Sequence, residues 1–285
     1  MFVVAGASGR TAGAVGRALL AQEKRVRVIV RNPDKGASWL ERGAEVAVAS
    51  LQDAAAVQHA LTGAHGFLAV LPDELSVEDF HEHRRRMADA IAAAVEASRV
   101  PRVVLISSTA AFLEEGNGPP RGLHYAEQAL RGTGATLTVV RASQYQDNAL
   151  AALPAATHEG VFPSFLPADL LLPMVATRDV GRLAAKMLAH PPARSEIIDL
   201  LGPSYSSRQL AAALGRALGK NLHVVELPPP AHADTFRKFG ASRSAAEALV
   251  EMFACVASGR ITPHGDRTEQ GTTEIDEVIR GALQS

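Results

Sequence analysis

Gly6, Ser8, Gly9, Arg10 and Thr11 lie between an apolar run, Met1–Ala5, and a stretch with helical apolar spacing, Ala14–Leu20. Glycines three apart at such a junction let the backbone turn sharply and approach a charged group closely. A small residue at Ala12 or Gly13 lets the following helix lie tightly on the strand. The free N–H groups of the helix's first turn then face the same group, so the junction suits an anion. The glycines alone fit any tight strand-to-helix turn. The second apolar run, Val26–Val30, arrives after the polar break Gln22–Arg25 and completes a strand, helix and strand. In that context the anion implied is the diphosphate of a dinucleotide.

The second strand ends in Arg31, where a site for NAD would place Asp or Glu against the ribose 2′-hydroxyl. An arginine is a permanently charged fork suited to a 2′-phosphate, and Arg10 and Lys35 add positive charge at the same mouth. The expected cofactor is therefore NADP (NADPH) in preference to NAD, set against a reading in which Arg31 only caps a strand end in solvent.

Further strands are expected at Glu45–Ala49, Gly66–Leu71, Arg102–Ser107, Thr136–Arg141 and Glu196–Leu200, with helices between them. The clearest helix is His81–Ser98, where Met87, Ile91 and Val95 recur four apart. Strands alternating with helices predict an α/β fold, a Rossmann-type doubly wound parallel sheet. After about residue 142 the alternation loosens, with helices expected at Thr177 or Asp179 to Leu188, Ser206–Leu218, Ser242–Ser258 and Glu274–Leu283, and a strand at Leu222–Leu227. We expect a nucleotide-binding domain over 1–150 and a smaller C-terminal α/β substrate region over 151–285 packed on it, with 176–204 returning to the first.

The 285 residues are 47% hydrophobic and 21% charged, with a net charge of −1, which offers nothing to nucleic acid or an anionic membrane. The single cysteine, Cys255, sits in a helical apolar run and reads as core. With no targeting segment or membrane span in the sequence, a cytoplasmic protein is expected. No metal site is expected: His81 and His83, two apart on a helix, point away from each other. The run Arg84–Arg86 reads as a solvated helix face or as the edge of an assembly surface, which leaves a homodimer open.

The chain resembles the NmrA-like branch of the atypical short-chain dehydrogenase/reductase superfamily, a group that includes type 2 quinone oxidoreductases and triphenylmethane dye reductases. The resemblance rests on Gly6–Ala12, Val30–Pro33, Ile106–Ser108, the helix carrying Glu127, Thr138–Arg141 followed by Tyr145–Asn148, Ala176–Val180 and Asp266–Thr273. It implies that Leu71 and Pro72 cross the cofactor, that Arg141–Asn148 (with Gln144 and Tyr145) borders the nicotinamide, and that Ser107 joins the cofactor set. One departure is visible. The residue after the third strand, often Asp in the superfamily and in contact with adenine, is here Ser50, while Asp53 reads as the cap of the next helix.

Classical members reduce carbonyls with a Tyr and a Lys four residues later, but Tyr125 is followed at that spacing by Ala129. Ketone reduction, which makes a strongly basic alkoxide, is thereby disfavoured. A quinone makes a weaker demand, because its hydroquinone anion takes a proton from water. Phe162, Phe165 and Tyr145 are candidate walls for a flat acceptor, and Tyr125, His124, Ser108 and Tyr145 are candidates to polarise an oxygen. Glu127 and Arg131 form a spacing-four pair that reads as structural. The expected function is NADPH-dependent hydride transfer to a quinone-like or polycyclic aromatic small molecule. The alternatives are a non-catalytic NADP(H) sensor of the NmrA type and a tailoring reductase or oxygenase of secondary metabolism.

Overall fold

The computed structural model describes residues 1–284. Eight strands form one sheet: β1 (Phe2–Ala5), β2 (Val26–Val30), β3 (Glu45–Val48), β4 (Gly66–Ala69), β5 (Arg102–Ser108), β6 (Thr136–Ala142), β10 (Glu196–Leu201) and β13 (Arg267–Gln270). Their order is β13-β10-β6-β5-β4-β1-β2-β3, and every neighbouring pair is parallel. The chain winds outward from β1 in both directions, so the order reverses between β1 and β4. Crevices at such a reversal are where doubly wound sheets take ligands.

Alternation along each strand builds two cores. Phe2, Val4, Val28, Val104 and Val140 face α1 (Arg10–Ala21), α2 (Ala37–Leu40) and α7 (Thr177–Ala189). Val3, Ala5, Phe67, Val103 and Val139 face α3 (Ala54–Ala60), α4 (Phe80–Ser98) and α5 (Pro120–Arg131). Small residues bring α1 close to its neighbours: a Cβ on Gly181 of α7 would stand 2.5 Å from Ala14 Cβ, and one on Gly16 2.8 Å from the Trp39 ring.

The remaining elements are α6 (Leu153–His158), α8 (Ser207–Leu218), α9 (His232–Lys238), α10 (Arg243–Ala257) and α11 (Ile275–Leu283), with β7 (Gln144–Tyr145), β8 (Val161–Ser164), β9 (Leu172–Val175), β11 (Ser204–Tyr205) and β12 (His223–Glu226) in two small sheets. A further apolar cluster joins Phe162, Leu210, Leu214, Ile275 and Ile279. The eighth strand of the main sheet, β13, has no counterpart in the sequence reading. Its residues Arg-Thr-Glu-Gln lack apolar alternation, and its place depends on pairing beside β10 and on the Arg267 guanidinium, which donates to Glu196 at 3.0 and 3.1 Å. No described helix is long and apolar enough to cross a membrane.

Candidate active site

Gly6, directly after β1, has φ +64°, a left-handed conformation that glycine adopts without strain. A Cβ there would lie 2.7 Å from Cγ2 of Val70, just past β4. Torsion and space both demand glycine where the two central strands end. Gly9 meets a different need. It caps α1 at φ −81° and ψ 157°, offers no side chain to the helix, and no acid follows in the first turn.

Several other helices are capped by the chain's own side chains. Asp53, Asp79, Ser206 and Ser242 accept first-turn N–H groups of α3, α4, α8 and α10 at 3.0, 3.0, 3.3 and 3.1 Å. The bare start of α1 presents unclaimed donors and the positive end of a helix dipole, a fit for a diphosphate.

A cavity of about 590 Å³ opens at this point, within the size range of small-molecule sites. Gly6, Gly9, Arg10 and Thr11 border it from β1 and α1, Leu71 and Pro72 from the loop after β4, Ser107 and Ser108 from β5, and Gln144, Tyr145 and Asn148 from the segment after β6. These include Ser108 and Tyr145, two of the four candidates to polarise an acceptor oxygen. Burial pushes the Tyr145 phenol up to about 12, partly offset by its hydrogen bond with Thr11. The Ser108 hydroxyl also takes the Ala110 N–H at 3.2 Å.

Ser107 rests on a buried ion pair. Its hydroxyl donates to Glu127 Oε1 at 2.6 Å, and Arg141 donates to the same carboxylate at 3.0 and 2.6 Å. Glu127 is fully buried and Arg141 is 5% exposed. The expected partner, Arg131, is therefore wrong: Glu127 faces inward from α5, and β6 supplies its cation.

Several expected positions lie elsewhere. Ser8 is exposed on the turn, and Arg31 and Ser50 are exposed at the ends of β2 and β3, none of them bordering the cavity. Arg31 is ion-paired with Glu74 at 2.6 Å, and Ser50 accepts the Gln52 N–H at 3.3 Å. Tyr125 is turned to the outer face of α5, where its hydroxyl donates to Asp89 at 2.7 Å; that bond, with some burial, raises its pKa. His124 is engaged by its Nδ1 with the Ala111 carbonyl at 2.9 Å. Neither borders the cavity. Phe162 belongs to the cluster around α8, and Phe165 stacks on Phe236 with centroids 4.6 Å apart, so neither supplies a cavity wall.

Of the candidate walls only Tyr145 borders the cavity, and the rest of the acceptor side is aliphatic, with Pro119, Pro120 and Leu123 from the start of α5 and Leu249, Met252 and Val256 from α10. Gly118, at φ +66°, docks these pieces together: its N–H donates to Glu251 at 2.9 Å, and a Cβ there would lie 2.1 Å from the Ala248 carbonyl. Two further residues escaped the sequence reading. Arg84, read there as solvated, is 1% exposed, donates to the Leu71 carbonyl at 3.2 Å and pairs with Asp73. Its position was signalled by helical phase, since Phe80, Arg84, Met87 and Ile91 share one face. Asn117 gives its amide protons to the carbonyls of Ala110 and Leu113 at 2.9 and 2.8 Å, which leaves its buried oxygen, like the Ser143 hydroxyl, without a protein partner. Both residues border the cavity.

The profile of the NmrA-like family matches residues 1–279. The chain belongs to the NmrA-like family. Quinone oxidoreductase 2 of Escherichia coli (strain K12) is 26% identical over 266 residues, covering 91% of this chain and 89% of that protein. The (4-alkanoyl-5-oxo-2,5-dihydrofuran-3-yl)methyl phosphate reductase of Streptomyces griseus is 30% identical over 234 residues, covering 80% of this chain and 77% of its own. Among solved structures, an NADPH-dependent quinone oxidoreductase of Escherichia coli complexed with NADPH superposes with a TM-score of 0.82 at 23% identity, over 99% of this chain and 100% of that one. That likeness establishes the Rossmann-like fold.

Proposed function

We propose that the protein is an NADPH-dependent oxidoreductase that passes hydride to a quinone-like or polycyclic aromatic small molecule. The observation that carries the reading is the uncapped start of α1, with its obligatory Gly6, opening onto an apolar cavity that has neither a Tyr/Lys dyad nor a lysine in its walls. A bound nicotinamide supplies the hydride. The chain's own residues do the rest.

Gly6, Gly9 and the first turn of α1 bind the diphosphate, and Leu71, Pro72, Ile106 and Ala142 provide apolar surface that excludes water from the reacting faces. Tyr145 and Ser108 donate hydrogen bonds toward an acceptor oxygen as negative charge develops on it. Full proton transfer from the chain is not required, because an acceptor whose product anion is delocalised takes its proton from solvent. The two relatives fit this demand: one is named for quinones, the other for a conjugated oxo-dihydrofuran. In both, hydride addition leaves a stabilised anion.

Tyr145 keeps its proton to about pH 12, so it remains a neutral donor throughout the working range. The rate of hydride transfer is expected to be flat from about pH 6 to pH 9. Tyr145→Phe is expected to slow turnover by no more than about tenfold, the size of one hydrogen bond. A hundredfold loss, with a new pH dependence, would instead make Tyr145 the proton donor.

The reading is tested by mixing the purified protein with NADPH and a panel of quinones while following absorbance at the nicotinamide band. Acceptor-dependent oxidation supports it. Tight NADPH binding without oxidation would favour the sensor reading, and oxygen uptake coupled to NADPH loss would favour an oxygenase.

A further inference from the structure

Beyond the cavity, the carboxyl ends of β2, β3 and β4 carry a connected polar cluster that hydride transfer does not use. Arg31 Nη1 lies 2.6 Å from Glu74 Oε2, and the His83 ring nitrogen lies 3.8 Å from the same oxygen. The Gln52 amide nitrogen is 3.0 Å from the His83 ring. Glu74 belongs to the loop after β4, and its neighbour Asp73 turns the opposite way onto buried Arg84. Two adjacent acids thus hold this loop from both sides, Asp73 to the cavity wall and Glu74 to the end of β2.

A dinucleotide whose diphosphate sits on α1 sends its adenosine ribose toward the end of β2. An acid at that strand end binds a free 2′-hydroxyl, whereas an arginine binds a 2′-phosphate. This chain brings both chemistries to one place, the arginine on β2 and the acid on the loop after β4. We propose that Glu74 sets the margin between the two nicotinamide dinucleotides, accepting a hydrogen bond from the 2′-hydroxyl of NADH and giving up Arg31 to the 2′-phosphate of NADPH. The proposal rests on the dinucleotide reading given above.

The side chains of Arg31 and Glu74 are 65% and 38% exposed, so the pair is weak. A doubly charged phosphate that engages the guanidinium in bidentate fashion displaces the carboxylate. The displaced carboxylate then stays close to the phosphate and repels it, so Glu74 narrows the margin by which Arg31 favours NADPH. Glu74 is in this sense a resident stand-in for the 2′-phosphate.

The test is an equilibrium titration of the full chain with NADPH and with NADH, without any acceptor, for the parent, Glu74→Gln, Glu74→Ala and Arg31→Ala. Removing the Glu74 charge is expected to tighten NADPH about tenfold and to weaken NADH about threefold. Arg31→Ala is expected to weaken NADPH while leaving NADH within about twofold of the parent. The same pattern should appear with the fragments 2′-phospho-ADP-ribose and ADP-ribose, which locates the effect at the ribose. An NADPH-to-NADH affinity ratio unchanged within about twofold in both Glu74 variants overturns the proposal while leaving the dinucleotide site intact. If the parent binds neither dinucleotide, the reading beneath the proposal fails and the proposal fails with it.

Discussion

Gly6→Val is expected to weaken NADPH binding by more than about a hundredfold, the equivalent of losing two charge-assisted hydrogen bonds of about 1.5–3 kcal/mol each. The cause is local. At φ +64° a β-branched side chain is strained, and its Cβ would sit 2.7 Å from Val70. The turn must therefore move away from β4, and the first turn of α1 moves with it. Gly9→Ala separates the cost of backbone strain from that of a side chain beside the anion, because at φ −81° any residue is at ease and, among protein atoms, the added Cβ would approach only the Gly6 carbonyl, at 3.3 Å. It is expected to keep affinity within about tenfold. Equal losses in the two variants, read by titration, would mean that the left-handed turn has no special part in binding.

The second large effect is expected at Glu127. Truncating it to alanine leaves the Arg141 guanidinium buried without its counter-charge and the Ser107 hydroxyl without its acceptor. Removing one partner of such a pair costs about 3–5 kcal/mol. Urea denaturation of Glu127→Ala should show that loss as a lower midpoint with an unchanged slope. Glu127→Gln, which keeps an acceptor oxygen and the volume, should lose less. A loss under about 1 kcal/mol for the alanine variant would show that the pair is solvated, as exposed pairs are.

The sheet was legible because its strands are apolar runs broken by turn residues. Strands buried on both faces leave little else to write in the sequence, and the inner six announce themselves this way, while the edge strand β3 shows itself by its short Val-Ala-Val run. β13 does not, since an edge strand of Arg, Thr, Glu and Gln gains its place only from its neighbour. The turn at Gly6 was legible because its demand is local, a backbone conformation and a close approach.

The acceptor side of the cavity was not legible in the same way. Helical phase shows that Leu249, Met252 and Val256 share a face of α10, but only the docking at Gly118 turns that face toward the cavity. Glu127 illustrates the same limit. Local spacing offers Arg131, whereas the folded chain brings Arg141 from a strand fourteen positions on. Tyr125 reads as a catalytic candidate by its resemblance, yet its place on α5 is outward, toward Asp89 of α4. Arg84 was hidden for a different reason, since three arginines in a row suggest a solvated face even when one of them falls on the core phase.

The most direct test of the whole account is an isothermal titration of the folded protein with NADPH, run beside Gly6→Val. The account predicts saturable binding of one dinucleotide per chain in the parent and its loss in the variant. Absence of binding by the folded parent, with NADPH and NADH both at millimolar concentration, would contradict it.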